Sequence, residues 1–233
     1  MSIIRNKQRL FHLYRYLLKY TDEEHQASTN DLVKLLREMD AHASRKTVKD
    51  DIEVLAREGV DVITTKSYYN SFFIGSRQFE VPEIKILTDA VAANESLTSE
   101  QKRKLIDKLL SQLSVHQAEK LEKAILFSEA HGENEQLYYH VDKITDAICE
   151  GKKVKILCFD QPAAETENPK EGAAKLLHNV RQKLPGGGGK THILTPVAIT
   201  CRDNCFYLIG RKGAGNEQAA FRLDRIAKTT IIE

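Results

Sequence analysis

The stretch from Ala43 to Leu55 restricts the fold of this chain more than any other. Val48, Ile52 and Leu55 recur at i, i+4 and i+7, one side of an α-helix. Ser44 stands just ahead of them, where its hydroxyl can cap free backbone N–H groups. Arg45, Lys46 and Lys49 project from the other side, near the start of the helix. A short helix that buries one stripe and offers Lys, Arg and Thr47 at its N-terminal end suits a DNA major groove. There guanidinium and ammonium groups reach phosphates and guanine acceptors. A solvated helix face would carry the same residues, with Asp50, Asp51 and Glu53 making the segment neutral.

The flanking pattern weighs between these readings. Leu10, Leu13, Tyr14, Leu17 and Leu18 have helical spacing over residues 5–20. Ser28 or Thr29 caps a second helix with Leu32, Val33, Leu35 and Leu36 inward. Asp40 to Ala43 is a turn, the basic helix runs from about Arg45 to Glu58, and Gly59 ends it. Two β-rich runs follow, Val60 to Thr65 and Asn70 to Gly75, joined by Lys66 to Tyr69. The order is helix, turn, helix, wing. Lys66 and Tyr68 are placed to grip a nucleic-acid backbone from the wing, or to sit on an ordinary exposed hairpin.

Pro82 opens a helical middle with apolar spacing in Glu83 to Ala93, Thr98 to Leu113 and His116 to Phe127. Gln136 to Glu150 reads as a further helix stopped at Gly151. From Lys152 the period becomes that of strands: Lys153 to Phe159, His192 to Thr200, Cys205 to Gly210, Ala219 to Leu223 and Ala227 to Ile232. Short strands after one helix predict a small antiparallel sheet or partial barrel. An insert at 161–190, rich in Pro, Glu, Ala and then Gly, interrupts them. The expected class is α+β, with a winged helix-turn-helix at 1–80, a helical linker at 81–135 and a β-domain at 136–233.

The net charge is +2, so charge alone announces no polyanion partner, but its distribution is uneven. Residues 81–150 hold 8 Lys+Arg against 13 Asp+Glu, and residues 151–233 hold 14 against 8. A basic C-terminal third far from the basic helix points to a second anionic partner or to a lysine-rich surface. No apolar run approaches the length of a membrane span, and the N-terminus lacks a signal-peptide core. A cytoplasmic protein without a membrane partner is therefore expected. The four cysteines form no CxxC pair and are expected as buried, reduced thiols.

Several pieces resemble the bacterial WYL-domain transcriptional regulators with a DeoR-like winged helix-turn-helix. They are Ser44 to Leu55, Phe79 to Val91, Leu110 to Ser114, Asn134 to Gln136, Thr195 to Ile199, Cys205 to Gly210 and Phe221 to Ile226. Phe206-Tyr207-Leu208 occupies the place of the tripeptide that names the domain, with Phe for Trp, and Phe221 to Ile226 matches the family's closing signature. The resemblance implies sequence-specific binding of double-stranded DNA by the winged helix. It implies a Sm-like β-fold for the sensor domain, with a single-stranded nucleic acid or nucleotide as its effector. By motif match Arg222, Arg225 and Tyr207 are the ligand contacts it implies. The insert departs from the family and removes any match over 161–190.

Along a regular strand positions 222 and 225 face opposite sides, so the two arginines converge only if the chain bends near Asp224. Packing competes with stacking as a role for Tyr207. Gly189-Lys190-Thr191 fails as a phosphate loop, because Leu184 stands where that motif needs glycine. No HExxH spacing appears and the histidines are scattered, so neither metal nor cofactor is expected. The expectation is a ligand-sensing, DNA-binding regulator that is no enzyme, acting as a homodimer. Its rivals are a module that binds single-stranded nucleic acid or protein without reading an operator, and an enzyme acting on nucleotides.

Overall fold

The computed structural model describes residues 2–41, 43–66, 70–126, 136–158, 190–213 and 217–233, with side chains from Gln8 onward. Over these residues the protein is α+β, with seven α-helices and two antiparallel sheets. The chain divides into two compact units, Met1–Asp89 with Leu105–Leu126, and Ala90–Lys104 with Phe127–Glu233.

The first unit begins with α1 (Ser2–Tyr20), β1 (Ala27–Ser28), α2 (Thr29–Glu38), α3 (Arg45–Arg57), β2 (Val62–Thr65) and β3 (Ser71–Ile74). Its sheet has the order β1-β3-β2. The core is the set of apolar stripes that the helical spacing marks. Leu13 and Leu17 of α1 meet Leu32 and Leu36 of α2, Val48, Ile52 and Leu55 of α3, and Phe72 and Ile74 of β3. Each buried leucine of this kind contributes roughly 1.5–3 kcal/mol. Ser28 and Asp31 form a reciprocal cap at the start of α2. Asp40 takes a φ of 54° in the turn that follows, and Gly59 a φ of 89° just past α3.

Polar contacts hold the end of α1. The Arg77 guanidinium donates to the backbone oxygens of Leu18 and Thr21, each at 2.6 Å. The buried Asp22 carboxylate accepts from the His25 backbone and ring at 2.8 Å, and from the Ser114 hydroxyl at the start of α6 (Val115–Glu122). Burial works to raise the pKa of Asp22, but the bonds from Ser114 and His25 outweigh it and hold it below the ordinary carboxylate range. The division between units falls inside α4 (Val81–Ala93) and α5 (Ser99–Leu110).

The second unit continues with α7 (Leu137–Cys149), β4 (Lys153–Cys158), β5 (Lys190–Arg202), β6 (Cys205–Lys212), β7 (Glu217–Arg222), a 3-10 turn (Leu223–Arg225) and β8 (Ile226–Ile232). The strand order is β7-β6-β5-β4-β8. Helix α7 packs on β4, β5 and β8, with Leu137, His140, Ile144 and Ala147 buried. Beneath it Thr229, Ile156 and His192 stand side by side, because Ile156 is in register with both. Gly210 admits no side chain: a Cβ there would lie 2.0 Å from Leu194 Cδ1 and 3.0 Å from the Thr195 carbonyl oxygen.

Some expectations change. The strand expected over Ala219 to Leu223 stops at Arg222, where the chain turns. All four cysteines are free, but Cys149 and Cys201 are exposed. Cys201 pairs in register with Phe206 and Arg202 with Cys205. The two thiols therefore stand on opposite faces of the hairpin, Cys205 buried and Cys201 outside. The insert at 161–189, the segment 127–135 and His42 lie outside the described residues.

Candidate nucleic-acid interface

Helix α3 starts at a defined point because Ser44 caps it. The Ser44 Oγ accepts the Thr47 backbone N–H at 3.1 Å and lies 2.8 Å from the Thr47 hydroxyl. Thr47 is half-buried and its hydroxyl is engaged in this cap. Arg45, Lys46 and Lys49 are exposed beside it, over the first turns of the helix. Among the described residues no ion pair engages any of the three.

The acidic residues of α3 are split between two sides. Asp50 and Glu53 are exposed, but Asp51 is 8% exposed and turned inward. There it accepts hydrogen bonds from two nitrogens of the Arg9 guanidinium, Nε at 2.6 Å and Nη2 at 2.9 Å. The hydrogen bond to Asp51 raises the Arg9 pKa against the opposing effect of burial, so the guanidinium keeps its charge. One carboxylate is thus removed from the outer side of α3 and used to fasten the helix to α1.

In the hairpin, Lys66 is exposed just beyond β2. Strand β2 is the edge of the sheet and Ile63 to Thr65 are exposed along it. Tyr68 lies outside the described residues.

In the second unit the register places Tyr207 directly opposite Arg222 on neighbouring strands. The bend that convergence of Arg222 and Arg225 requires is present as the 3-10 turn Leu223–Arg225. Arg222 sets Nε at 3.1 Å and Nη2 at 2.6 Å from the two oxygens of Asp224. Burial would lower the Arg222 pKa, but Asp224 reverses that and raises it. Tyr207 is 1% exposed, so its ring is part of the packed interior. Burial raises its pKa. Arg225 is half-buried.

Sequence reasoning missed Cys205 and Glu95 as neighbours of this cluster. The Cys205 Sγ lies 3.6 Å from Glu95 Oε2, and burial pushes the thiol up to about 11. Glu95 has no sequence signal, since it reaches the site only through Ser96 and Asn204. The Glu95 backbone N–H donates to the Asn204 oxygen at 2.6 Å, and the Phe206 N–H donates to Ser96 Oγ at 2.9 Å.

Among the described residues no group of three His, Cys, Asp or Glu is arranged to hold a metal ion, and no helix is long and apolar enough to cross a membrane. No protein-family model matches the chain. No curated protein matches it either. Among solved structures, proteasome accessory factor B/C (PafBC) of Arthrobacter aurescens matches over 97% of this chain and 33% of that chain, at 14% identity and a TM-score of 0.28. The chain thus spans about a third of that protein's length. A superposition this loose does not fix the fold.

Proposed function

We propose that the chain is a DNA-binding transcriptional regulator without enzymatic activity. Its first unit is a winged helix-turn-helix in which α2 and α3 form the helix pair and the β2–β3 hairpin forms the wing. Helix α3 enters the major groove; Arg45, Lys46 and Lys49 contact phosphates and base edges, and Lys66 and Tyr68 reach the backbone. The second unit is a sensor of the WYL type, in which Arg222 and Arg225 meet an anionic or nucleic-acid effector, while the buried Tyr207 packs behind Arg222 instead of touching the effector. Because Arg222 is paired with Asp224, an anion arriving there replaces one carboxylate by another charge and disturbs the 3-10 turn between β7 and β8. Such a ligand changes DNA affinity by favouring one arrangement of the chain over another. Two copies binding together would read half-sites about 34 Å apart.

One observation carries the reading: three cations stand exposed at the capped start of α3 without ion-pair partners among the described residues, while Asp51 is turned away onto Arg9. Footprinting on the DNA upstream of its own gene is the test. The expected result is one or two protected half-sites on duplex, sensitive to salt, with weaker binding of the unpaired strands. Equal or stronger binding of the unpaired strand, with no protected duplex, overturns it in favour of a module that reads no operator.

A further inference from the structure

The basic character of the C-terminal third has a location. Strands β4, β5, β6 and β8 contain seven Lys or Arg and no Asp or Glu. Helix α7 covers one face of β4, β5 and β8. On the other face the register sets Lys155 opposite Ile193 on β5 and Thr230 on β8, and sets Leu157 opposite Thr191 and Lys228. Lys153, two residues before Lys155, points the same way. Lys153, Lys155, Lys228, Thr191 and Thr230 are all exposed, and Ile193 is 53% exposed in their midst. Among the described residues no ion pair engages the three lysines.

The geometry points to this open face of β4, β5 and β8 as a second docking surface, for the phosphate backbone of double-stranded DNA. Three ammonium groups interleaved with hydroxyls, on strands that carry no carboxylate, match a row of phosphates. None of the three strands carries Phe, Tyr or Trp, so the face has no platform on which unpaired bases stack. A peptide would add in the plane of the sheet, along the open edge of β8, whereas the three lysines stand out of that plane on its face. The surface therefore holds duplex by charge and reads no sequence. It extends the proposed function of the chain from one DNA contact to two, and its test is separable from that of α3.

The test uses the full chain with Lys153→Gln, Lys155→Gln and Lys228→Gln together, and a Lys→Arg version at the same positions as control. Affinity for a non-specific duplex is measured over a range of salt. Each lost phosphate contact flattens the plot of log affinity against log salt by about 0.9, so the Gln variant loses between about 2 and 3 from the slope. The Arg variant keeps the original slope. An unchanged slope in the Gln variant overturns the proposal, as does a loss confined to the unpaired strand or to polyglutamate. If Arg45→Ala, Lys46→Ala and Lys49→Ala leave duplex binding intact while the sheet variant abolishes it, the α3 reading falls and the sheet surface stands.

Discussion

Asp51 is the residue on which the outer charge of α3 turns. Left outside, it would offset one of three cations; turned inward, it leaves them and joins Arg9 in a pair whose side chains are 11% and 13% exposed. Asp51→Ala strands the Arg9 guanidinium, and an unpaired buried charge costs about 3 kcal/mol. A lower urea midpoint with unchanged slope would show this. Arg9→Met with Asp51→Leu recovers most of the loss, because neither charge is then left alone. Two groups of residues set the pH dependence. The hydrogen bonds that hold Asp22 low stabilise the first unit above the ordinary carboxylate range, and that stability is lost as pH falls through the depressed value. His140 and His192 are buried, and among the described residues their Nε2 atoms have no hydrogen-bond partner. Burial lowers both below the ordinary 6.5. Their contribution is present above that ordinary value and is lost as pH falls through the lowered ones. The protection of β4 and β5 amides, taken relative to intrinsic exchange at each pH, therefore falls between neutral and mildly acidic pH, and His192→Leu reduces the effect. The inward turn of Asp51 was legible in principle, since it follows Val48 by three and precedes Leu55 by four, on the buried side. Its partner was not, because Arg9 is 42 positions away. The burial of Tyr207 follows from strand alternation with Cys205, whereas its cross-strand meeting with Arg222 depends on register, which short-range patterns do not fix.

At the scale of elements, the start of α3 matters more than its middle. Ser44 holds the turn from which Arg45 and Lys46 project, so Ser44→Ala costs about 1 kcal/mol of stability. It frays the turn and weakens duplex binding, while Ser44→Asn retains both; thermal melts and binding isotherms on the two variants check this. In the second unit Gly210→Ala forces Leu194 Cδ1 aside against a packed interior, and the expected result is a lower melting temperature with no change in the cations of α3. Amphipathic helices were legible because their period repeats over three turns or more. The two-residue strand β1 left no periodic trace, although it gives Phe72 and Ser71 their partners. The 3-10 turn after Arg222 was hidden for a similar reason: three residues carry no period, and Arg-Leu-Asp-Arg reads equally well as the end of a strand. The Arg222–Asp224 pair that accompanies the bend spans two residues, the same-side spacing of a strand, so it could be anticipated while the bend could not.

For the whole molecule, the segmental charge counts anticipated one basic region, the C-terminal third, and the residue pattern pointed to the start of α3; in the structure exposed lysines of that third stand on the open face of β4, β5 and β8. What the counts could not give is pairing. Arg9, Arg77 and Arg222 are spent on carboxylates or carbonyls inside the fold, and the lysines of α3 and of the sheet face are not. On the proposed function, duplex binding has a steep salt dependence at both sites, and sequence preference resides in the first unit alone. The most direct test is duplex affinity of the variant carrying Arg45→Ala, Lys46→Ala and Lys49→Ala, followed together with its melting temperature. The account predicts loss of sequence-specific binding with the melting temperature kept, since all three side chains are exposed. Specific binding that survives at its original strength in a folded variant would contradict it.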